Sequence, residues 1–160
     1  MGLDSYLSAD IGLSEYNEHK TMGDEYAATQ LRAAIKAQYG EAMESRNADI
    51  GLRVILPLAY WRKANQIHAW FVKNVQEGKD ECQKSYVERK DLEKLLADCK
   101  AVLADPSKAA SLLPTQAGFF FGGTEYDEYY VHELSYTVDA LERVLAKLPE
   151  NADIYYHASW

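Results

Sequence analysis

The chain has 160 residues, 48% hydrophobic and 26% charged, which fits one domain (residues 1–160) able to bury roughly two-thirds of the surface that its unfolded form exposes. A formal net charge of -8 opposes non-specific binding to a nucleic-acid backbone and suits a basic protein partner instead. Two cysteines, Cys82 and Cys99, with no C-x-x-C or Cys/His spacing, exclude a disulfide framework and a zinc motif, and they point to a reducing cytoplasm.

In chain order, Leu3 to Leu7 reads as a short strand, and the segment from Gly12 to Gly23 is polar and reads as a loop. Asp24 to Tyr39 predicts a peripheral helix with a narrow stripe of Ala27, Leu31, Ala34 and Ile35. Ile50 to Leu56 is β-branched enough for a strand that stops at Pro57. Tyr60 to Gln76 predicts a helix whose core face is Tyr60, Ala64, Ile67, Phe71 and Val75, with Trp61, His68 and Val72 at its edge. Glu88 to Ala104 predicts another, with Leu92, Leu95, Leu96, Cys99, Val102 and Leu103 inward and Asp105-Pro106 as its stop. Phe119-Phe-Phe121 reads as a buried strand or a hydrophobic plug. Thr124 is the expected N-cap of a last helix that carries Val131, Leu134, Val138, Leu141, Leu145 and Leu148. The tail from Asp153 to Trp160 alternates, with Ile154, Tyr156 and Ala158 on one side, and is expected to pair with the N-terminal strand. The fold class expected is therefore α+β, three to four helices on a small, mostly antiparallel sheet.

The first residues lack the charged and apolar regions expected of a signal peptide, and the longest apolar run, Val54 to Trp61, is interrupted by Pro57 and too short to span a membrane. Met1-Gly2 opens like a myristoylation site, but Tyr6 stands where Ser or Thr is required. Twelve tyrosines against four phenylalanines suit half-buried surfaces and subunit contacts, including a homodimer.

Charge is segregated along the chain. From Ile50 to Gln76 the charged residues are Arg53, Arg62, Lys63 and Lys73; from Ala109 to Glu142 they are Glu125, Asp127, Glu128, Glu133, Asp139 and Glu142. Such blocks either pair with each other or form two surfaces of opposite sign.

The strings Tyr60-Trp-Arg-Lys-Ala-Asn-Gln-Ile-His68, Trp70-Phe-Val72, Leu113-Pro-Thr115, Gly118-Phe-Phe-Phe-Gly122 and Thr124-Glu-Tyr-Asp-Glu-Tyr-Tyr130 resemble a family of small proteins of tailed bacteriophages and prophages. Met1-Gly-Leu-Asp4, Tyr155-Tyr156 and Ser159-Trp160 fit the same pattern, and residues 9–49 lie outside it. The family has no established catalytic role, so no functional residue carries over. The resemblance implies a phage-encoded accessory protein made in the cytoplasm of a bacterial host.

Two candidate sites follow from the residues. Trp61, Arg62, Lys63, Asn65 and His68 combine a stacking ring, phosphate-neutralising cations and polar readers suited to a small anionic, nucleotide-like molecule. On one helix, however, Arg62 and Lys63 lie about 100° and 200° from Trp61, so they do not converge on one ligand from that helix alone. Glu125, Tyr126, Asp127, Glu128, Tyr129 and Tyr130 form an acidic, tyrosine-rich stretch suited to a cationic partner. The same acids at a helix start oppose a phosphate loop at Gly122-Gly123. Glu128 and His132, spaced i, i+4, offer only two ligands to a metal, so no metal or cofactor is assigned. The leading expectation is a non-enzymatic binder of a nucleotide-like anion that blunts a host defence signal. An acidic module that inhibits a host or phage protein is the alternative, and a nucleotide hydrolase comes third.

Overall fold

The computed structural model describes residues 2–13, 30–31, 33–35, 37–38, 52–150 and 152–160. The chain divides into two compact units, Asp10–Ile55 and a larger one made of Met1–Ala9 with Leu56–Trp160. In the smaller unit the described residues between 30 and 38 are helical, within the helix expected there, yet Leu31 and Ala34 of its apolar stripe are exposed. Arg53 Nη1 meets Asp10 Oδ2 at 3.4 Å in the same unit. Of the loop expected over residues 12–23, Gly12 and Leu13 belong to a strand and the remainder lies outside the described residues, as does Ala27.

Four strands, β1 (Asp4–Leu13), β2 (Leu52–Arg62), β3 (Ser85–Val87) and β4 (Asp153–Ser159), form one antiparallel sheet in the order β2-β1-β4-β3. The α+β expectation holds, and so does the pairing of the two chain ends, since β4 lies beside β1. Alternation explains β4: Ile154, Tyr156 and Ala158 are buried while the residues between them are partly exposed. β3, only three residues long, pairs Tyr86 with Tyr155.

β2 departs from expectation by running through Pro57 to Arg62. Among the described residues β2 is an edge strand of the sheet, the position at which a strand tolerates proline. The consequence is a correction at Tyr60 and Trp61, which lie on a strand and therefore point to opposite faces. Trp61 is the core residue at 1% exposure, and Tyr60 is 45% exposed. The helix α1 begins only at Asn65 and ends at Asn74, burying Ile67, Trp70 and Phe71.

α1 lies on the inner face of the sheet. The Phe71 ring stacks on Tyr156 with centroids 4.0 Å apart, and it tilts against Trp61 at 6.1 Å. α2 (Arg89–Ala104) buries Leu92, Leu95, Cys99 and Val102 as expected, and it is opened by a capping box between Glu88 and Asp91. A 3₁₀ turn, Pro106–Lys108, and the short α3, Ala109–Leu112, follow where only a stop was expected. α4 (Glu128–Lys147) packs along α2. Full burial of Leu134 and Leu141 on its inner face stabilises that packing by roughly 2 kcal/mol each.

The N-cap of α4 is Asp127, whose Oδ1 accepts the Tyr130 N–H at 3.0 Å; Thr124 is not the cap. Val131, expected inward, is exposed, while Tyr130, Glu133 and Thr137 are buried. Among the described residues no helix is long and apolar enough to cross a membrane.

The outer face of the sheet accounts for much of the tyrosine excess. Tyr6 touches Tyr60 at 5.3 Å and His157 at 5.9 Å, and Tyr86 meets Tyr155 at 5.9 Å, with Tyr6, Tyr60 and Tyr86 exposed.

Candidate functional site

The chemistry concentrates where β2 hands over to α1. Lys63 occupies the turn in left-handed conformation, φ 60°, which a non-glycine residue rarely adopts. Two other left-handed residues, Phe120 (φ 71°) and Gly122 (φ 94°), lie in the loop that reaches this turn. Backbone bonds lock them together through the N-terminus: Leu3 N–H donates to Phe120 O at 3.2 Å, and Lys63 N–H to Leu3 O at 2.7 Å. Backbone strain of this kind persists only where the surroundings over-determine it, and it clusters at functional sites.

Asn65 holds the loop. Only 2% exposed, it donates through Nδ2 to Phe121 O (3.2 Å) and Gly123 O (2.8 Å), and its Oδ1 accepts the Gln116 N–H at 2.9 Å. The phenylalanine triplet is split as a result. Phe121 is buried as a plug against His68 (5.3 Å) and Trp160 (5.8 Å), close enough to Gly118 that a Cβ there would stand 2.5 Å from its ring. Phe119 is 84% exposed, and Phe120 beside it is exposed too, their rings edge to face at 4.2 Å.

The five residues expected to hold a nucleotide-like anion are therefore separated. Trp61 is buried, with Nε1–H donating to Thr137 Oγ1 at 2.9 Å, and offers no free face for stacking. Asn65 is occupied by the loop. His68 is fully buried between the Tyr156 hydroxyl (Nδ1, 2.8 Å) and Asp80 (Nε2, 2.9 Å), and this chain extends to Ser5 through Tyr156 and to Trp160 through Asp80. Burial pushes the Tyr156 phenol far above its ordinary range, so it remains a hydroxyl. Tyr156→Phe strands His68 Nδ1 and Ser5 Oγ, and a loss of about 1–2 kcal/mol in urea unfolding is expected. Tyr155→Phe, one residue away and half-buried, is expected to be near neutral in the same measurement.

Arg62 and Lys63 alone of the five are exposed. Arg62 Nη1 lies 3.4 Å from Asp4 Oδ1, which also accepts the Tyr60 hydroxyl at 2.5 Å. That hydrogen bond from Tyr60 to the Asp4 carboxylate raises the phenol above its usual range. The Tyr129 hydroxyl donates to Arg62 O. Burial, and then the neighbouring Glu133 carboxylate, raise the Tyr129 phenol in turn, and burial raises the Glu133 carboxyl.

Glu125, Tyr126, Asp127, Glu128 and Tyr129 are exposed; Tyr130 is not, since it is buried and donates to Leu113 O at 2.8 Å. Among the described residues the two charge blocks do not pair with each other. Arg53 and Arg62 bind Asp10 and Asp4, Lys63 and Lys73 join no ion pair, and none of Glu125, Asp127 and Glu128 meets a cation. Nor, among those residues, do three His, Cys, Asp or Glu side chains gather as metal ligands. Cys99 is buried on α2, its thiol pushed up to about 12 by burial, and is unreactive at neutral pH.

Sequence reasoning missed Phe119 and Phe120 as displayed residues, and it missed Asp4, Tyr60 and Gly2 as neighbours of Arg62. The triplet itself was the available signal, because three consecutive side chains do not share one face of a strand or helix. Compared with protein-family models, with curated proteins and with solved structures, the chain matches none.

Proposed function

We propose that this chain is a protein-docking module, an accessory protein of phage type that binds and inhibits a basic host or phage protein. The observation that carries the reading is the display of Phe119 and Phe120 on a loop tied by three hydrogen bonds to buried Asn65. A large exposed apolar side chain on a pre-ordered loop fits a pocket in a partner with little ordering cost, as interface anchors do. Glu125, Asp127 and Glu128, following the same loop without a cation of their own among the described residues, supply an acidic rim that selects a basic partner and steers its approach.

Sequestration of a nucleotide-like anion ranks second as a principal role, because only Arg62 and Lys63 of its expected residues face solvent. The test is affinity capture from host lysate with the partner identified by mass. One basic protein is expected with the wild-type chain. Phe119→Ala/Phe120→Ala is expected to weaken its binding by about 2–4 kcal/mol with an unchanged thermal midpoint. Glu125→Lys/Glu128→Lys is expected to slow its association. Unaltered capture by both variants refutes the reading.

A further inference from the structure

We propose that Arg62 and Lys63 form a binding site for a phosphate group, independent of the docking loop's apolar contacts. Their side chains converge over Gly2 from the end of β2 and the turn that follows it. A Cβ placed on Gly2 would lie 3.5 Å from Lys63 Cε and 3.6 Å from Arg62 Nη2, so one point in space lies within van der Waals reach of both cationic side chains. The helix expected over Tyr60 to Gln76 would have splayed these residues. The extended Arg62 and the left-handed Lys63 bring them together.

Gly122 makes room for the Lys63 stem, whose Cβ lies 3.1 Å and Cδ 3.6 Å from where a Gly122 Cβ would stand, and Gly2 lies beneath both cationic side chains at ordinary contact range. The charge at this point is not balanced by the fold. Asp4 is the one carboxylate that pairs with Arg62 among the described residues, at a long 3.4 Å, and its Oδ1 also accepts the Tyr60 hydroxyl. Lys63 joins no ion pair among those residues. Two cations against one shared carboxylate leave a net positive spot on a chain of net charge -8.

Tetrahedral phosphate suits that spot better than a planar carboxylate does. Its oxygens can meet the guanidinium fork and the lysine ammonium at the same time.

The test is a titration of the full chain with sodium phosphate at fixed ionic strength, followed through the backbone amide resonances of Leu3, Asp4 and Lys63. Saturable shifts that sodium chloride does not reproduce are expected. Lys63→Gly is expected to weaken the apparent affinity about tenfold, the loss of one charge-assisted contact, while the thermal midpoint stays level or rises, because glycine adopts this φ freely. Arg62→Gln is expected to weaken it similarly. Shifts that chloride reproduces, or full affinity in the Lys63→Gly/Arg62→Gln double variant, overturn the proposal. A second arm compares inorganic phosphate with a nucleoside 5′-monophosphate: tighter binding of the latter assigns the site to a nucleotide's phosphate, and equal affinity assigns it to free phosphate. Phe119→Ala/Phe120→Ala is expected to leave the inorganic phosphate titration unchanged, so failure of the docking reading and failure of this one are read separately.

Discussion

Asn65→Ala is expected to destabilise the chain by about 3 kcal/mol, near 1 kcal/mol for each hydrogen bond lost, and to lower the thermal midpoint by roughly 10 °C. The side chain is buried, and its three partners are all backbone groups, Phe121 O, Gly123 O and Gln116 N–H. Truncation strands them, and the loop must either admit water or leave them unsatisfied. Asn65→Asp separates this account from a packing effect. The volume is kept and the Gln116 N–H still has its acceptor, but a carboxylate oxygen now faces the Phe121 and Gly123 carbonyls. Asp is therefore expected to cost at least as much as Ala. If Asp proves mild, the hydrogen bonds are not what holds the loop. Hydrogen exchange supplies the local readout: peptides covering residues 113–127 are expected to lose more protection than those covering α1. Partner capture should fall with them, because Phe119 and Phe120 ride on the freed segment.

The expected and observed structures differ most at the junction of β2 and α1, for a definite physical reason. Tyr60 to Val75 carries an apolar residue at nearly every position a helix needs, and its first residues satisfy a strand equally well. Ala59 and Trp61 alternate inward while Tyr60 and Arg62 face out. Short apolar runs do not distinguish the two periods. What decides is Lys63, and nothing in its identity announces a left-handed φ. α2, α4 and β4 were legible because their periodic stripes are long enough to exclude the other period. β3 was not, since three residues held by one neighbour leave no periodic trace.

The candidate site was legible as a list of residue types and illegible as an arrangement. That Arg62 pairs outside the acidic block depends on its finding Asp4, which is distant in sequence. The meeting of Arg62 and Lys63 over Gly2, and of Lys63 with Gly122, likewise joins residues distant in sequence. Long-range register of that kind is fixed by the packed sheet, and local pattern does not encode it.

Trp61 carries the other large effect. Trp61→Ala is expected to cost about 4 kcal/mol, enough to consume a large share of the stability of a domain of this size. The ring fills the space between the sheet and α1, touching Phe71 at 6.1 Å and Tyr136 edge-on at 6.3 Å. Its Nε1–H also meets the Thr137 hydroxyl at 2.9 Å, and that hydroxyl in turn donates to Glu133 O at 2.6 Å. Two contributions are thus superposed, cavity and hydrogen bond, and a double-mutant cycle divides them. Trp61→Phe combined with Thr137→Val is expected to show a coupling of about 1 kcal/mol, the hydrogen bond, with the remainder of the alanine penalty assigned to lost volume. The same variants bear on function. A ring buried to 1% exposure contributes to binding only by supporting the fold. Trp61→Phe is accordingly expected to leave both partner capture and the phosphate titration at wild-type values below its own melting transition. Loss of either in the folded variant, verified by near-ultraviolet circular dichroism, returns Trp61 to the binding surface and with it the stacking role that its sequence context first suggested.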